Sequence, residues 1–340
     1  MKILVVFTGG TIGSTNDNGF VTPDSGKIFK LIDMYNKRVF STGTNDKVSF
    51  ETISPYNMLS ENMTCSDLRK LAECLVGIDS SAYDGIILTH GTDTLQFTSA
   101  FISYIIGNYT IPVVFVSANY VLEDLRSNGL DNFYYAVKFI CESRTKGVFV
   151  SYRNSGDLPK IHRAARLIGY KSYDDSLYSV CDEYYAYFNE DKLVCKDKQN
   201  DCMLSEDNSY GLFNLPEGDW YSGILRIEPY VGMTYPKLSE DIKAVLHSTY
   251  HSGTICAKSP DLKEFADMAA KKNIPVFITG AGMGIPYESE KCYKELGFHI
   301  LPAASPIAMY VKLWLCVING FDNNRIIDIM KRKLAWDILD

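Results

Sequence analysis

Two segments rich in glycine and threonine bring together residue types that are suited to binding and transforming a ligand. Residues 8–13 (TGGTIG) follow an apolar run at the start of the chain, and residues 89–94 (THGTDT) follow a second apolar run. Paired glycines let a backbone turn sharply and approach a ligand closely, so the segments would present Thr11, Thr92 and Asp93 to a bound molecule. Taken singly, each segment is also typical of a simple turn or a helix N-cap. Together they predict a site whose polar groups are hydroxyls and a carboxylate.

The apolar runs and the helical patterns between them predict the framework that would hold these segments. Most runs are rich in β-branched residues and end at glycine or a polar residue, as strands do. A helix is predicted from Thr64, with Asp67 as its capping signal, and another after Thr92. This alternation predicts an α/β fold with a doubly wound, mostly parallel sheet, in which both threonine segments face one crevice at the carboxyl edge. The predicted strands are Ile3–Phe7, Val48–Ile53, Gly85–Thr89, Val113–Ser117 and Val148–Tyr152.

A change in composition divides the chain into two predicted α/β domains. Residues 189–219 are polar, charged and then rich in turn formers, which is typical of a connection between domains. We therefore expect a larger N-terminal domain over residues 1–205, a linker over residues 206–219 and a smaller C-terminal domain over residues 220–340. In the second domain the pattern predicts strands at Ile224–Ile227, Ala244–Leu246 and Val276–Ile278, and helices at Leu262–Lys271, Glu288–Leu296, Ile307–Ile318 and Arg325–Lys333.

The two threonine segments resemble the paired motifs of one known enzyme family. The sequence is similar to that of the bacterial-type L-asparaginases, which carry a TGGTI loop and an HGTDT loop, each with an active-site threonine. Residues 127–137 (SNGLDNFYYAV) look like the family's SDGxxN-L-xxAV segment, with Asn128 in place of its aspartate. The resemblance covers nearly the whole chain and is stronger in the first 140 residues. It implies a two-domain fold and an amidohydrolase that uses neither a metal nor an organic cofactor.

The resemblance also implies roles for particular residues. Thr11 would attack a side-chain amide and form an acyl-enzyme, with Thr92 and Asp93 as partners in activation. Backbone amides near Gly10 and Gly91 would stabilise the oxyanion. Ser60 matches a serine that binds the substrate's α-carboxylate, and Glu61 would hold the α-amino group beside Asp93. The implied partner is therefore a small amino-acid amide, and family members assemble as homodimers or homotetramers.

Two positions depart from the family pattern. Phe20 stands where a lid tyrosine is expected, and the nearest other tyrosine, Tyr35, lies too far along the chain to replace it. Gly169 stands where a lysine is expected, although Lys171 and Arg166 lie close enough in sequence to supply positive charge. Three interpretations stay open: a divergent asparaginase, a hydrolase of a different amide with a reshaped pocket, and an amino-acid-binding or sensor protein without turnover.

Composition excludes several other classes of protein. The formal net charge is −7 and there is no Lys/Arg-rich block, which argues against nucleic-acid binding. No apolar run is long enough to span a membrane, and the first residues are typical of a strand rather than a signal peptide. Nine scattered cysteines without a CxxC pair indicate reduced thiols and a cytoplasmic location. Histidines lack metal-ligand spacing, so we expect no metal site.

One rival within enzymes is the asparaginase-like subunit of a tRNA-dependent amidotransferase. That alternative predicts a further N-terminal domain and a basic surface that faces tRNA. The formal charge of this chain favours a free amidohydrolase instead.

Overall fold

The computed structural model describes residues 1–24, 26–42, 47–107, 109–143, 145–196, 211–282 and 284–339. The chain forms two compact units, Met1–Leu215 and Pro216–Asp340. Part of the predicted linker, residues 206–210, lies outside the described residues, and the remainder is divided between the two units. The boundaries predicted for the two domains therefore remain a prediction.

The first unit is built on an eight-stranded sheet with a small separate hairpin. Its strands run, in chain order, as β1 (Lys2–Phe7), β2 (Ser14–Asp17), β3 (Phe20–Pro23), β4 (Ser49–Ile53), β5 (Gly85–Thr89), β6 (Pro112–Val116), β7 (Gly147–Tyr152), β8 (Lys160–Arg163), β9 (Ala186–Asn189) and β10 (Lys192–Cys195). The order in the sheet is β10-β9-β8-β7-β6-β5-β1-β4, and strands β2 and β3 form the hairpin. The described residues of this unit also form four α-helices: α1 (Lys27–Thr42), α2 (Cys65–Val76), α3 (Leu95–Ile105) and α4 (Gly129–Ser143).

Five strands of the large sheet are parallel, which confirms the predicted fold class. Strand β1 pairs in parallel with β4 and β5, and β5, β6 and β7 continue the parallel run. The inner strands β5 and β6 are buried throughout, as expected for a sheet covered on both faces. The sequence prediction missed α1, α4, the hairpin and the three antiparallel strands β8, β9 and β10. Each of these strands has only four residues, so its periodicity carries little signal.

The helices that flank the site begin close to their predicted positions. Helix α2 starts with the predicted capping box, in which the side chains of Thr64 and Asp67 each accept a hydrogen bond from the other residue's backbone N–H. Helix α3 begins at Leu95 with Thr94 as its N-cap residue. Thr92 and Asp93 therefore lie in the loop before the helix rather than in its first turn.

One face of the large sheet is covered by α1 and α4 through a compact aromatic cluster. Tyr35 of α1 packs edge-on against Phe50 and against Phe133 of α4, with ring centroids 5.4 and 5.7 Å apart. Such aromatic side chains bury large apolar areas and dominate the energetics of a core. Tyr35 is buried in this cluster and is a core residue of the first unit.

The second unit has a parallel sheet of four strands with its own hydrophobic core. Strands β11 (Ile224–Ile227), β12 (Ala244–Ser248), β13 (Val276–Thr279) and β14 (His299–Ile300) lie in that order. The core includes Val245, Phe265 and Ile278. The predicted helices are present with small changes at their ends, as α5 (Leu262–Lys271), α6 (Lys291–Glu295), α7 (Pro306–Ile318) and α8 (Asn323–Lys331). Within the described ranges, no helix combines the length and apolar character that crossing a bilayer requires.

Candidate functional site

The two threonine segments are in direct backbone contact at the carboxyl ends of β1 and β5. Gly10 has a left-handed backbone, with φ of 78°, and a Cβ atom built there would lie 2.3 Å from the amide nitrogen of Gly91. Only glycine permits such close packing of one loop against another. Thr11 and Thr92 directly follow these two glycines in the chain. The structure therefore brings both predicted threonines onto adjoining loops.

A third segment, which follows β4, is fastened to the first loop. The amide of Gly10 donates to the carbonyl of Met58 at 2.8 Å, and the amide of Met58 donates to the carbonyl of Thr8 at 3.2 Å. The hydroxyl of Thr8 in turn donates to the carbonyl of Thr89 at 2.5 Å. Three loops from neighbouring strands are thereby held in a fixed arrangement at one edge of the sheet.

Ser60 lies on this third segment and faces Gly91. A Cβ atom at Gly91 would lie 2.3 Å from the hydroxyl oxygen of Ser60. Ser60 is 3% exposed, and its hydroxyl has no hydrogen-bond partner among the described residues. Its carbonyl accepts a hydrogen bond from the hydroxyl of Thr94 at 3.1 Å. Because buried hydroxyls are normally paired, Ser60 has the capacity to bind a ligand.

Glu61 and Phe20 are the two predicted binding residues at the periphery. Glu61 is exposed in the short 3-10 turn Ser60–Asn62. Phe20 is 75% exposed and starts β3, after a turn formed by Asn18 and Gly19 with positive φ at both residues. This turn is the common two-residue connection of a hairpin, so the sequence did contain a signal for it. The described contacts that join the three loops do not involve Phe20.

His90 contacts the backbone of the second loop, and its ring is neutral at neutral pH. Its Nδ1 lies 2.7 Å from the carbonyl oxygen of Gly91. A carbonyl only accepts, so Nδ1 carries the proton of the neutral ring. His90 is 1% exposed, and this burial lowers its pKa to about 4. The ring is therefore neutral under ordinary conditions.

A cavity of about 350 Å³ opens beside the second threonine segment. Thr92, Asp93 and Lys171 all line it, so the lysine that follows Gly169 reaches the same space as the candidate catalytic pair. The ammonium of Lys171 lies 4.8 Å from the centre of the Tyr178 ring. Arg166 instead ends the short turn Ala164–Arg166, which packs against α3.

The cavity also contains residues that the sequence analysis did not select. Gln96, Asn119 and Tyr170 all line it. Asn119 follows the carboxyl end of β6, so the rule that identified the threonine segments applied to it as well. Its backbone N–H donates to the side-chain oxygen of Asn128 at 3.0 Å, and the backbone N–H of Asn128 donates to the side-chain oxygen of Asn119 at 3.0 Å. Asn128, which replaces the family's aspartate, therefore positions a residue of the cavity.

Tyr170 has a phenol that is enclosed within the first unit. Its hydroxyl is buried and lacks a hydrogen-bond partner among the residues described here. Burial raises the pKa of this phenol well above its usual value, and the carboxylate of Asp93 raises it further. Tyr170 therefore remains protonated and can donate a hydrogen bond.

Across the described ranges, no group of His, Cys, Asp and Glu side chains has a geometry suited to a metal ion.

Comparison with known proteins identifies relatives of the first unit and of the whole chain. Residues 2–200 match the family profile described as Asparaginase, N-terminal. The L-asparaginase of Thermococcus kodakarensis is 26% identical over 353 residues, which cover 99% of each chain. One of the subunits of the Glutamyl-tRNA(Gln) amidotransferase of Thermoplasma acidophilum is 33% identical over 142 residues, which cover 41% of this chain and 32% of that one. The chain likewise spans only 26% to 38% of several other curated relatives.

A solved structure of the same fold extends the similarity to both units. L-asparaginase I from Vibrio cholerae superposes with a TM-score of 0.80 at 19% identity, covering 100% of this chain and 99% of that one. At this identity the likeness establishes the fold and nothing finer.

Proposed function

This chain belongs to the asparaginase family of amidohydrolases, and from that premise we propose that it hydrolyses the side-chain amide of L-asparagine. The products would be aspartate and ammonia. The observation that carries the proposal is the backbone contact between Gly10 and Gly91, since it puts Thr11 and Thr92 on adjoining loops at one sheet edge. Enzymes of open α/β sheets bind their ligands at this edge.

The proposed reaction is a double displacement at Thr11. The hydroxyl oxygen of Thr11 attacks the amide carbon, its proton passes through the Thr92–Asp93 pair to the leaving nitrogen, and ammonia departs. An ester joins the acyl group to Thr11. Water then attacks this ester, its proton returns to the threonine oxygen, and the free acid leaves. Splitting the reaction in this way replaces one difficult step with two easier ones.

Lys171 is proposed to supply the positive charge that the family obtains from a lysine at position 169. It lines the same cavity as Thr92 and Asp93, which favours this role over Arg166. An ammonium close to the pair would stabilise the negative charge that develops when Thr11 loses its proton. An arginine cannot exchange a proton at neutral pH, whereas a lysine can.

Recognition of the substrate is proposed to rest on three polar side chains. The unpartnered hydroxyl of Ser60 would bind the α-carboxylate, and the carboxylates of Glu61 and Asp93 would hold the α-ammonium. Phe20 would close over the site from the hairpin, where its aromatic ring excludes water but cannot relay a proton. The predicted assembly into homodimers or homotetramers and the cytoplasmic location remain predictions.

Ammonia release tests the proposal directly. L-Asparagine, D-asparagine and L-glutamine would be offered to the native protein and to the Thr11→Ala variant. We expect the native protein to hydrolyse asparagine and the Thr11→Ala variant to lose this activity. We expect Lys171→Met to lower kcat while changing KM less. Turnover of glutamine alone would change the assigned substrate. No turnover from any amide, with asparagine still raising the melting temperature, would replace the hydrolase with a binding protein.

A further inference from the structure

The cavity beside Thr92 has unmet capacity to accept hydrogen bonds. Gln96 is 5% exposed and lines this space. Its side-chain nitrogen donates to the backbone carbonyl of Asp93 at 3.2 Å. That carbonyl can only accept, so the nitrogen must face it and the oxygen must point elsewhere. The oxygen of Gln96 is buried and has no partner within the described parts of the chain.

An acceptor left unpaired in the interior costs free energy, so a ligand with donors is favoured at this position. Losing a partner at a buried polar atom costs about 1–3 kcal/mol, which a bound ligand would recover. The hydroxyl of Tyr170 is the second buried and unpartnered group of the same cavity. Both residues line the cavity, and both atoms can accept a hydrogen bond from a ligand.

The charges around the cavity favour a positively charged ligand group. Besides Asp93, which the proposed function assigns to the α-ammonium, the carboxylates of Asp174 and Asp175 line the cavity, together with the ammonium of Lys171. One oxygen of Asp174 is already used, because it accepts from the amide of Ser176 at 2.8 Å. The excess of negative charge and acceptors suits a primary ammonium, which has three donors and no acceptor. A carboxylate or phosphate would be repelled.

We propose that this cavity is a binding site for a primary ammonium group carried on the substrate. The inference rests on the proposed function, because it places the reacting amide at Thr11 and the ammonium beyond Thr92. The volume of about 350 Å³ is within the range of small-molecule pockets, about 300–1,000 Å³, and accommodates a short alkyl chain. The preferred substrates are aspartate amides whose side-chain nitrogen bears an aminoalkyl group. Water cleaves the amide bond to give aspartate and a free diamine.

A matched pair of substrates tests this specificity. The 4-aminobutyl and n-pentyl amides of the aspartate side chain differ only in a terminal ammonium against a methyl group, and aspartate release reports the turnover of either. We expect the native protein to favour the aminobutyl amide in kcat/KM by about tenfold or more, since charge-assisted hydrogen bonds are the strong ones. Asp175→Asn and Gln96→Met should remove most of this preference. Asp33→Asn, a neutralised carboxylate on the exposed face of α1, should keep it.

A second measurement separates this inference from the proposed function. The Thr11→Ala protein would be titrated calorimetrically with n-butylammonium and with n-butanol. Binding of the ammonium alone, weakened by Asp175→Asn, supports the site even where no amide is hydrolysed, and in that case only the proposed function fails. Asparagine turnover with equal rates for the two amides, and no binding of n-butylammonium, overturns the inference while the proposed function stands.

Discussion

The candidate site depends on positions where a side-chain carbon does not fit. Gly10 and Gly91 touch through their backbones, and Gly91 also contacts the hydroxyl of Ser60. The glycines therefore set the distance between the loop of Thr11 and the loop of Thr92. Small displacements matter at such a site, since a misplacement of about 1 Å can reduce a rate about 100-fold.

Gly91→Ala is expected to reduce both activity and stability. The new Cβ atom would lie 2.3 Å from the hydroxyl oxygen of Ser60, so one of the two loops must move. We expect kcat/KM for asparagine to fall about 100-fold and the free energy of unfolding to fall by about 1–3 kcal/mol. Gly13→Ala is the matched control in the first loop, because a Cβ there meets nothing within 4 Å. Equal activity in both variants would show that the contact is unimportant.

Buried histidines, among them His90 and His162, are expected to make the folded state sensitive to mild acid. Burial lowers the pKa of His90 to about 4 and that of His162 to about 3, whereas an unfolded chain titrates near 6.5. Between these values the unfolded chain binds more protons, so stability falls as the pH decreases below about 6.5 and is unaffected by these groups above it.

The histidine prediction can be measured by urea unfolding at pH 7.5 and pH 5. His90 and His162 should each lower the free energy of unfolding by about 2 kcal/mol between pH 7.5 and pH 5. This figure follows because pH 5 lies about 1.5 units below the unfolded-state pKa, at about 1.36 kcal/mol for each unit. His162→Gln should retain the hydrogen bond to Ser179, 2.8 Å from Nδ1 in the native protein, and reduce the acid sensitivity by about 2 kcal/mol. An unchanged pH dependence in this variant would contradict the prediction.

At the scale of elements, continuous buried strands were predictable, whereas the long helices α1 and α4 and the short antiparallel strands were not. The predicted and observed bounds of Gly85–Thr89 agree, because a continuous apolar run ends at a polar loop. Helix α1 was missed although Leu31, Ile32 and Tyr35 recur at helical spacing on the face that packs against the core.

Some residues of the candidate site could be predicted from the local sequence, whereas others could be recognised only from the packing of the folded chain. Thr11, Thr92 and Asp93 were predicted because they follow buried strands. Gln96 was not, because its burial and its unpartnered oxygen arise from the packing of α3 within the unit. A single helical position carries no sequence pattern for such a role.

Helix α7 and the segment that follows α8 are joined by a buried ion pair. The ammonium of Lys312 lies 2.9 Å from the carboxylate of Asp337, and both side chains are fully buried. The same ammonium donates to the carbonyl of Arg332 at 2.5 Å. Removing one member of such a pair leaves an uncompensated charge in the interior.

Lys312→Met is therefore expected to lower the free energy of unfolding by about 3–5 kcal/mol. The double variant Lys312→Met with Asp337→Leu should recover part of this loss, because it removes the uncompensated charge but leaves the buried backbone N–H of Leu334 without its acceptor. Chemical denaturation of the two single variants and the double variant measures the coupling. Additive losses would show that the two side chains act independently.

At the scale of the whole molecule, each compact unit contains a sheet and a hydrophobic cluster of its own. The cluster of the first unit draws its residues from β1 to β10, and that of the second from β11 to α6. The predicted site residues all belong to the first unit. A unit with its own buried core is able to fold by itself.

Residues 216–340 expressed alone are therefore expected to unfold cooperatively. Calorimetry should show one transition with an enthalpy of about 70–90 kcal/mol, the value typical of a domain of this size near 60 °C. Phe265→Ala removes a ring that lies 4.9 Å from that of Tyr235 in the core, and should lower the free energy of unfolding by about 3–5 kcal/mol. A broad transition without an enthalpy peak, insensitive to Phe265→Ala, would mean that the core of this unit does not form without the first unit.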